Sequence, residues 1–212
     1  MAQPPQTQLL TAAARRILRP LGLHQRGRSR LWLGDHGWWL VVVEFQPSSW
    51  SKVSYLNVGA MWLWFEKDYF SFDDGYRVEG LASFENEAQF TPVAENLAQR
   101  AADEVRRYRA LYPSVLSAAR RLAAKSPRGF WDSFHAGVAC GLAGDSAPAK
   151  QFLDEVAGTD DQRDWAQAAA TIAREYSLAV EDSARFRRRI EEIIRRAREL
   201  LRLEQVASIV LD

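Results

Sequence analysis

Cysteine is nearly absent: Cys140 is the only one in 212 residues, alongside just three histidines and two methionines. A single thiol closes no internal disulfide and builds no thiolate-rich metal centre, which agrees with a reducing compartment. His24, His36 and His135 are scattered, with no second His or Cys at helix-ligand spacing, so no metal site is expected from them. Also missing are a Gly-rich phosphate loop, a dinucleotide fingerprint and a Gly-x-Ser-x-Gly elbow, which leaves the usual signatures of phosphoryl, hydride and acyl transfer unrepresented. No cofactor is expected and no catalytic residue is assigned. No apolar run approaches the length of a membrane span, and the opening MAQPPQTQLLTAAARRILRP has no continuous apolar centre of the kind a signal peptide needs. The expectation is a cytoplasmic protein without membrane contact.

Net charge is also low, at +1, but it is unevenly placed. Residues 66–104 hold ten acids and three bases, whereas 105–130 hold seven bases and no acid. Blocks of opposite sign suit neighbouring elements with complementary surfaces better than a dedicated nucleic-acid patch.

What is present reads as an α+β chain. Leu9, Leu10, Ala13, Ala14, Ile17 and Leu18 recur at helical spacing until Pro20, predicting an N-terminal helix. RSRLWLGDHGWWLVVVEFQ predicts a β-hairpin turning at Gly34-Asp35-His36-Gly37. In its second strand Trp39, Val41, Val43 and Phe45 share one face, and Leu40, Val42, Glu44 and Gln46 the other. Pro47 and the two serines after it stop that strand, SYLNVGAMWLWF supplies a third, and YRVEGLASF is a weaker fourth. The result is an antiparallel meander of three to four strands. From Thr91-Pro92 onward the period is helical, with Thr91 as an expected N-cap, Ser114 capping the next helix, and Thr159 with Gln162 at capping-box spacing. The division expected is a sheet-bearing domain over 1–125 and a helical region over 126–212. GLAGDSAPAKQFLDEVAG resembles the second half of a tetratricopeptide-like helical hairpin, in one copy only.

The run ILRPLGLHQRGRSRLWL, followed by VVVEFQPSSW and SYLNVGAMW, resembles the bacterial domain-of-unknown-function family 4304 over about residues 9–125. The residues that carry the likeness are Pro20-Leu21-Gly22, Arg26-Gly27-Arg28, Phe45-Gln46 and Asn57-Val58-Gly59, with Arg26 where the family usually has lysine. What the resemblance implies is a fold and a bacterial origin, not an activity.

Three candidate sites follow. Gln46 and Asn57, on adjoining strands, are placed to meet on one sheet face beside the Trp50 loop, and Trp62 and Trp64 are candidates for a partly open apolar groove. This set points to a non-catalytic protein-interaction module, immunity- or antitoxin-like by class, whose partner is a protein or peptide. The first alternative is nucleic-acid binding through Arg-rich helices, with Arg187, Arg188 and Arg189 as contacts, although interleaved glutamates blunt that field. The second is a hydrolase using Glu66, Asp68, Asp73 and Asp74, a pattern that also reads as a solvated turn. The apolar stripe of the last helix suits docking on preceding helices or on a second subunit.

Overall fold

Pro5, with its preset φ and missing N–H, starts helix α1 (Pro5–Leu18), whose buried side chains Leu10, Ala13, Ala14 and Leu18 form one stripe. The computed structural model describes residues 4–47 and 53–211. Pro20 tightens the end of α1 into a 3-10 turn, Arg19–Leu21, and Gly22 then takes a left-handed φ of 75°. The Leu23 N–H bonds the Leu18 carbonyl and the Gly22 N–H the Arg19 carbonyl, so the last helical acceptors are satisfied in a Schellman arrangement.

Five strands follow: β1 (His24–Gln25), β2 (Leu31–Asp35), β3 (Trp39–Pro47), β4 (Val53–Trp62) and β5 (Asp74–Ser83). They pair in sequence order as one antiparallel sheet. The meander is thus confirmed, with β1 as an added short edge strand. The β2–β3 turn lies later than the expected Gly34–Gly37 connection. Gly34 is inside β2, opposite Val41, and it is Gly37 that adopts positive φ, at 82°. Helix α2 (Glu87–Leu111) begins four residues before Thr91. Asn86 accepts from the Gln89 N–H as its cap, and Pro92 is carried inside. The Thr91 hydroxyl instead bonds back to the Glu87 carbonyl.

The remaining helices are α3 (Val115–Ala123), α4 (Phe130–Leu142), α5 (Ser146–Ala157), α6 (Asp164–Ala179) and α7 (Ser183–Leu200). Ser114 caps α3 as its sequence predicts. Thr159 caps nothing: its hydroxyl serves the Asp161 N–H, and α6 waits until Asp164.

Two compact units result. One comprises residues 1–61 and 69–110, and the other 62–68 and 111–212. These units divide the chain at other positions than the expected 125. α3 packs along α4 and belongs with the helices, and so does the segment from Trp62 to Asp68.

In the sheet unit, α1 and α2 lie on the face that carries Trp32, Val41, Val43 and Phe45, and an Arg16–Glu95 ion pair of 2.6 Å ties the two helices. Alanines 94, 98, 101 and 102 keep the buried stripe of α2 shallow. In the helical unit, successive helices from α3 to α6 pack pairwise and α7 closes on α4 and α6. The small residues of α4 make this possible. A Cβ on Gly137 would sit 2.7 Å from the Leu153 side chain, and one on Gly141 would sit 2.6 Å from the Phe186 ring. Cys140 belongs to the same small-residue face, and burial pushes its thiol up to about 11, so it is a protonated packing group. No helix is long and apolar enough to cross a membrane among the described residues.

Candidate functional site

Consecutive antiparallel strands place i and j side chains of one face about 5 Å apart, and Gln46 on β3 meets Asn57 on β4 in this way. The Asn57 Nδ2 donates to Gln46 Oε1 at 3.0 Å and to Glu44 Oε2 at 3.1 Å, while the Glu44 Oε1 accepts from Arg30 Nε at 2.8 Å. Chemistry fixes the orientation of both amides. An ionised Glu44 only accepts, so Asn57 must turn its NH2 toward it, and Gln46 must then offer its oxygen. Both hydrogens of Asn57 are spent. The Asn57 carbonyl oxygen and the Gln46 NH2 are left side by side on two half-buried residues.

Charged and aromatic groups flank the pair. Arg77, opposite Asn57 on β5, lays its guanidinium 4.2 Å from the Tyr55 ring centroid. Arg30 keeps about half of its side chain exposed. Glu44 and Arg30 complete a four-residue network that the sequence reading left out, although the signals were there. Glu44 shares the face of Gln46 two residues earlier, and the hairpin register brings Leu31, next to Arg30, opposite it. Trp50, expected on the neighbouring loop, lies outside the described residues.

Trp62 and Trp64 do not line an open groove. Both are 0% exposed, stacked on each other at 5.0 Å, with Tyr112 edge-on to Trp62 at 4.9 Å. The Trp64 Nε1–H donates to His135 Nδ1 at 3.0 Å, which places the proton of the neutral imidazole on Nε2. The physical reason for the correction is that the strand end enters the aromatic core of the helical unit, where Phe65 also packs edge-on against Trp131 and Phe134.

Of the three arginines named for nucleic acid, Arg187 is committed within the fold. Its guanidinium donates to the Leu211 and Leu142 carbonyls. Arg195 and Arg198 likewise hold the Val206 and Glu204 carbonyls, and Arg198 is completely buried. A large share of the charge on α7 thus fastens the C-terminal segment. Arg188 and Arg189 are exposed. In α2, Arg106 and Arg107 pair with Asp103 and Glu104 on the same helix, so opposite charge blocks meet at their shared boundary.

The acidic candidates separate. Glu66 faces Arg196 at 3.6 Å in the helical unit, while Asp73 and Asp74 belong to the sheet unit. There the Ser71 hydroxyl donates to Asp73 Oδ1 at 2.8 Å and the Asp73 N–H bonds the Ala60 carbonyl, the bonding of a turn that leads into β5. Among the described residues no three His, Cys, Asp or Glu side chains converge as metal ligands would.

A second polar constellation, which the motifs did not announce, occupies the β2–β3 turn. The His36 ring stacks on Trp39 at 4.3 Å and its Nε2 accepts from Arg109 Nε at 3.3 Å, while Arg109 Nη2 donates to the Leu21 carbonyl at 2.7 Å. Burial above all, then the Arg109 charge, pulls His36 down to about 4, against a smaller opposing effect of Asp35. This is a neutral structural histidine joining three elements.

No family model matches the chain, and no curated protein and no solved structure matches it either.

Proposed function

We propose that the protein is a non-catalytic interaction module of bacterial, cytoplasmic origin, related to the family its motifs resemble and immunity- or antitoxin-like in class. Its contact surface is the half-exposed sheet end formed by Gln46, Asn57, Tyr55 and Arg77 together with the Trp50 loop, and its partner is a protein or peptide. One observation carries this reading. The Glu44-anchored amide pair presents an acceptor, Asn57 Oδ1, next to a donor, Gln46 Nε2. A peptide group offers the reciprocal pattern, and a partner backbone laid across this end would satisfy both atoms at once. Tyr55 and Arg77 supply the flat aromatic and guanidinium area in which interfaces are enriched.

The test is affinity capture from nuclease-treated host lysate, washed at high salt, with the parent protein beside Gln46→Ala and Trp50→Ala. A protein retained by the parent and lost by both variants, each still folded by circular dichroism, is the expected result. Equal retention by all three would show that the contact lies elsewhere.

A further inference from the structure

Residues 180–182 turn the chain from α6 into α7, and the end of the first helix and the start of the second enclose a half-open groove of about 530 Å3. Arg185, Arg188, Arg189 and Glu192 reach it from α7 at i, i+3, i+4 and i+7, so a single helical stripe supplies them. Leu178 of α6 lies in the same groove and is 79% exposed, the most exposed large hydrophobic side chain among the described residues. Tyr176 also lines it and is 2% exposed, its ring wedged against Phe134 and Phe186. Its hydroxyl has no hydrogen-bond partner among the described residues and is not among the polar atoms sealed from solvent, and Tyr176 is one of the residues that line the groove. Burial keeps this phenol protonated and therefore a donor.

A phenol donor that no protein group uses, on a residue otherwise almost wholly buried, leaves a place for an acceptor from outside. The cations point the same way. The side chains of Arg185 and Arg188 make no ion pair or hydrogen bond among the described residues, and Arg189 is held only by an exposed contact of 3.6 Å to Glu192. Three arginines, Arg185, Arg188 and Arg189, and two glutamates, Glu175 and Glu192, line the groove, which leaves it one net positive charge. One residual positive charge suits a single carboxylate better than a polyanion. The volume is that of a small-molecule site.

We propose that this groove binds a small amphiphilic carboxylate, whose oxygens accept from the Tyr176 hydroxyl and the Arg188 and Arg189 guanidinium groups while its apolar body covers Leu178. The site is separate from the sheet surface above and stands or falls without it.

Titration with sodium octanoate, followed by amide chemical shifts in the full-length protein, tests the assignment, with octan-1-ol and a single-stranded oligonucleotide as comparison probes. Saturable shifts confined to the ends of α6 and α7, with octanol binding at least tenfold more weakly, are expected. Tyr176→Phe removes only a hydroxyl that no described residue uses, so it should weaken octanoate about five- to tenfold, one lost hydrogen bond, with no fall in Tm. Arg188→Gln should weaken it to a similar extent. The proposal is overturned by the absence of saturable binding, by octanol binding as well as octanoate, by affinity unchanged in both variants, or by an oligonucleotide that binds there in preference.

Discussion

His36 is the side chain whose altered chemistry falls nearest the physiological pH range. Its ring is stacked on Trp39 and accepts from Arg109, so a proton on Nε2 would break that bond and bring two cations together. The folded value of about 4 lies below the ordinary 6.5. The unfolded chain therefore takes up a proton near pH 6.5 that the folded one refuses until about 4, and stability is fully present above this window and falls as pH drops through it. Each tenfold difference in proton affinity is worth about 1.4 kcal/mol, and the ring keeps partial contact with solvent, so a loss on the order of 1–2 kcal/mol is expected. Urea unfolding from pH 7 to 4.5 should show it, and His36→Gln should flatten the profile there. Carboxylates act lower. Asp132 is one such group: its burial opposes ionisation, but hydrogen bonds from Lys125 and the Gly129 N–H hold it below the usual range, so its contribution disappears only in stronger acid. At this scale the sequence was partly legible. Gln46 and Asn57 meet as strand alternation predicts, because consecutive strands have no freedom to do otherwise. The His36–Arg109 contact spans 73 positions and depends on where α2 ends, which no local pattern encodes. Trp62 and Trp64 misled because alternation assigns a side chain to a face without saying whether that face is covered.

Strand β4 shows how an element is shaped by what it must approach. Gly59 faces Gly75 across the β4–β5 ladder, and a Cβ at Gly59 would lie 2.7 Å from the Gly75 Cα and 2.8 Å from the Asp74 carbonyl oxygen. A Cβ at Gly75 would strike the Phe72 Cβ at 2.9 Å. Backbone cannot step aside as a flexible side chain can, so Gly59→Ala should force β5 outward and cost about 1–3 kcal/mol, read as a lowered urea midpoint with an unchanged slope. Gly59 ends the Asn57-Val58-Gly59 stretch, and the close approach is a physical reason for glycine there. The neighbouring bulges between Ser54 and Asn57 bend the same strand. Boundaries elsewhere followed competing caps. Thr91-Pro92 and Thr159 each match a helix start, yet Asn86 lies one turn before the first, and Asp161 engages Arg163 through the chain that follows the second. β1, with only two residues, has no periodicity for a sequence reading to detect.

The whole molecule is two units that share one chain in an interleaved order, since 62–68 leaves the sheet unit to join the helices and the chain returns at 69. No composition shift marks that excursion, which explains why a single boundary near 125 looked sufficient. The excursion has an energetic meaning. Trp62 stacks edge-on with Tyr112, Trp64 donates to His135, and Phe65 packs on Trp131 and Phe134, so one seven-residue segment fills much of the aromatic core of a unit otherwise made from 111–212. Truncating a single buried Trp or Phe to alanine costs about 3–5 kcal/mol. Small domains as a whole are stable by about 5–15 kcal/mol, so losing the two buried tryptophans together with the half-buried Phe65 exhausts the margin. The fragment 111–212, expressed alone, should therefore keep helical far-UV circular dichroism but bind ANS and lose its near-UV spectrum, whereas the full chain shows sharp aromatic bands and cooperative unfolding. A fragment with a near-UV spectrum like that of the full chain and a single steep thermal transition would mean that the helices close their core without 62–68. The contrary and expected result makes the last turn of the sheet a structural part of the helical unit, so that neither unit can be lost by a simple cut between α2 and α3.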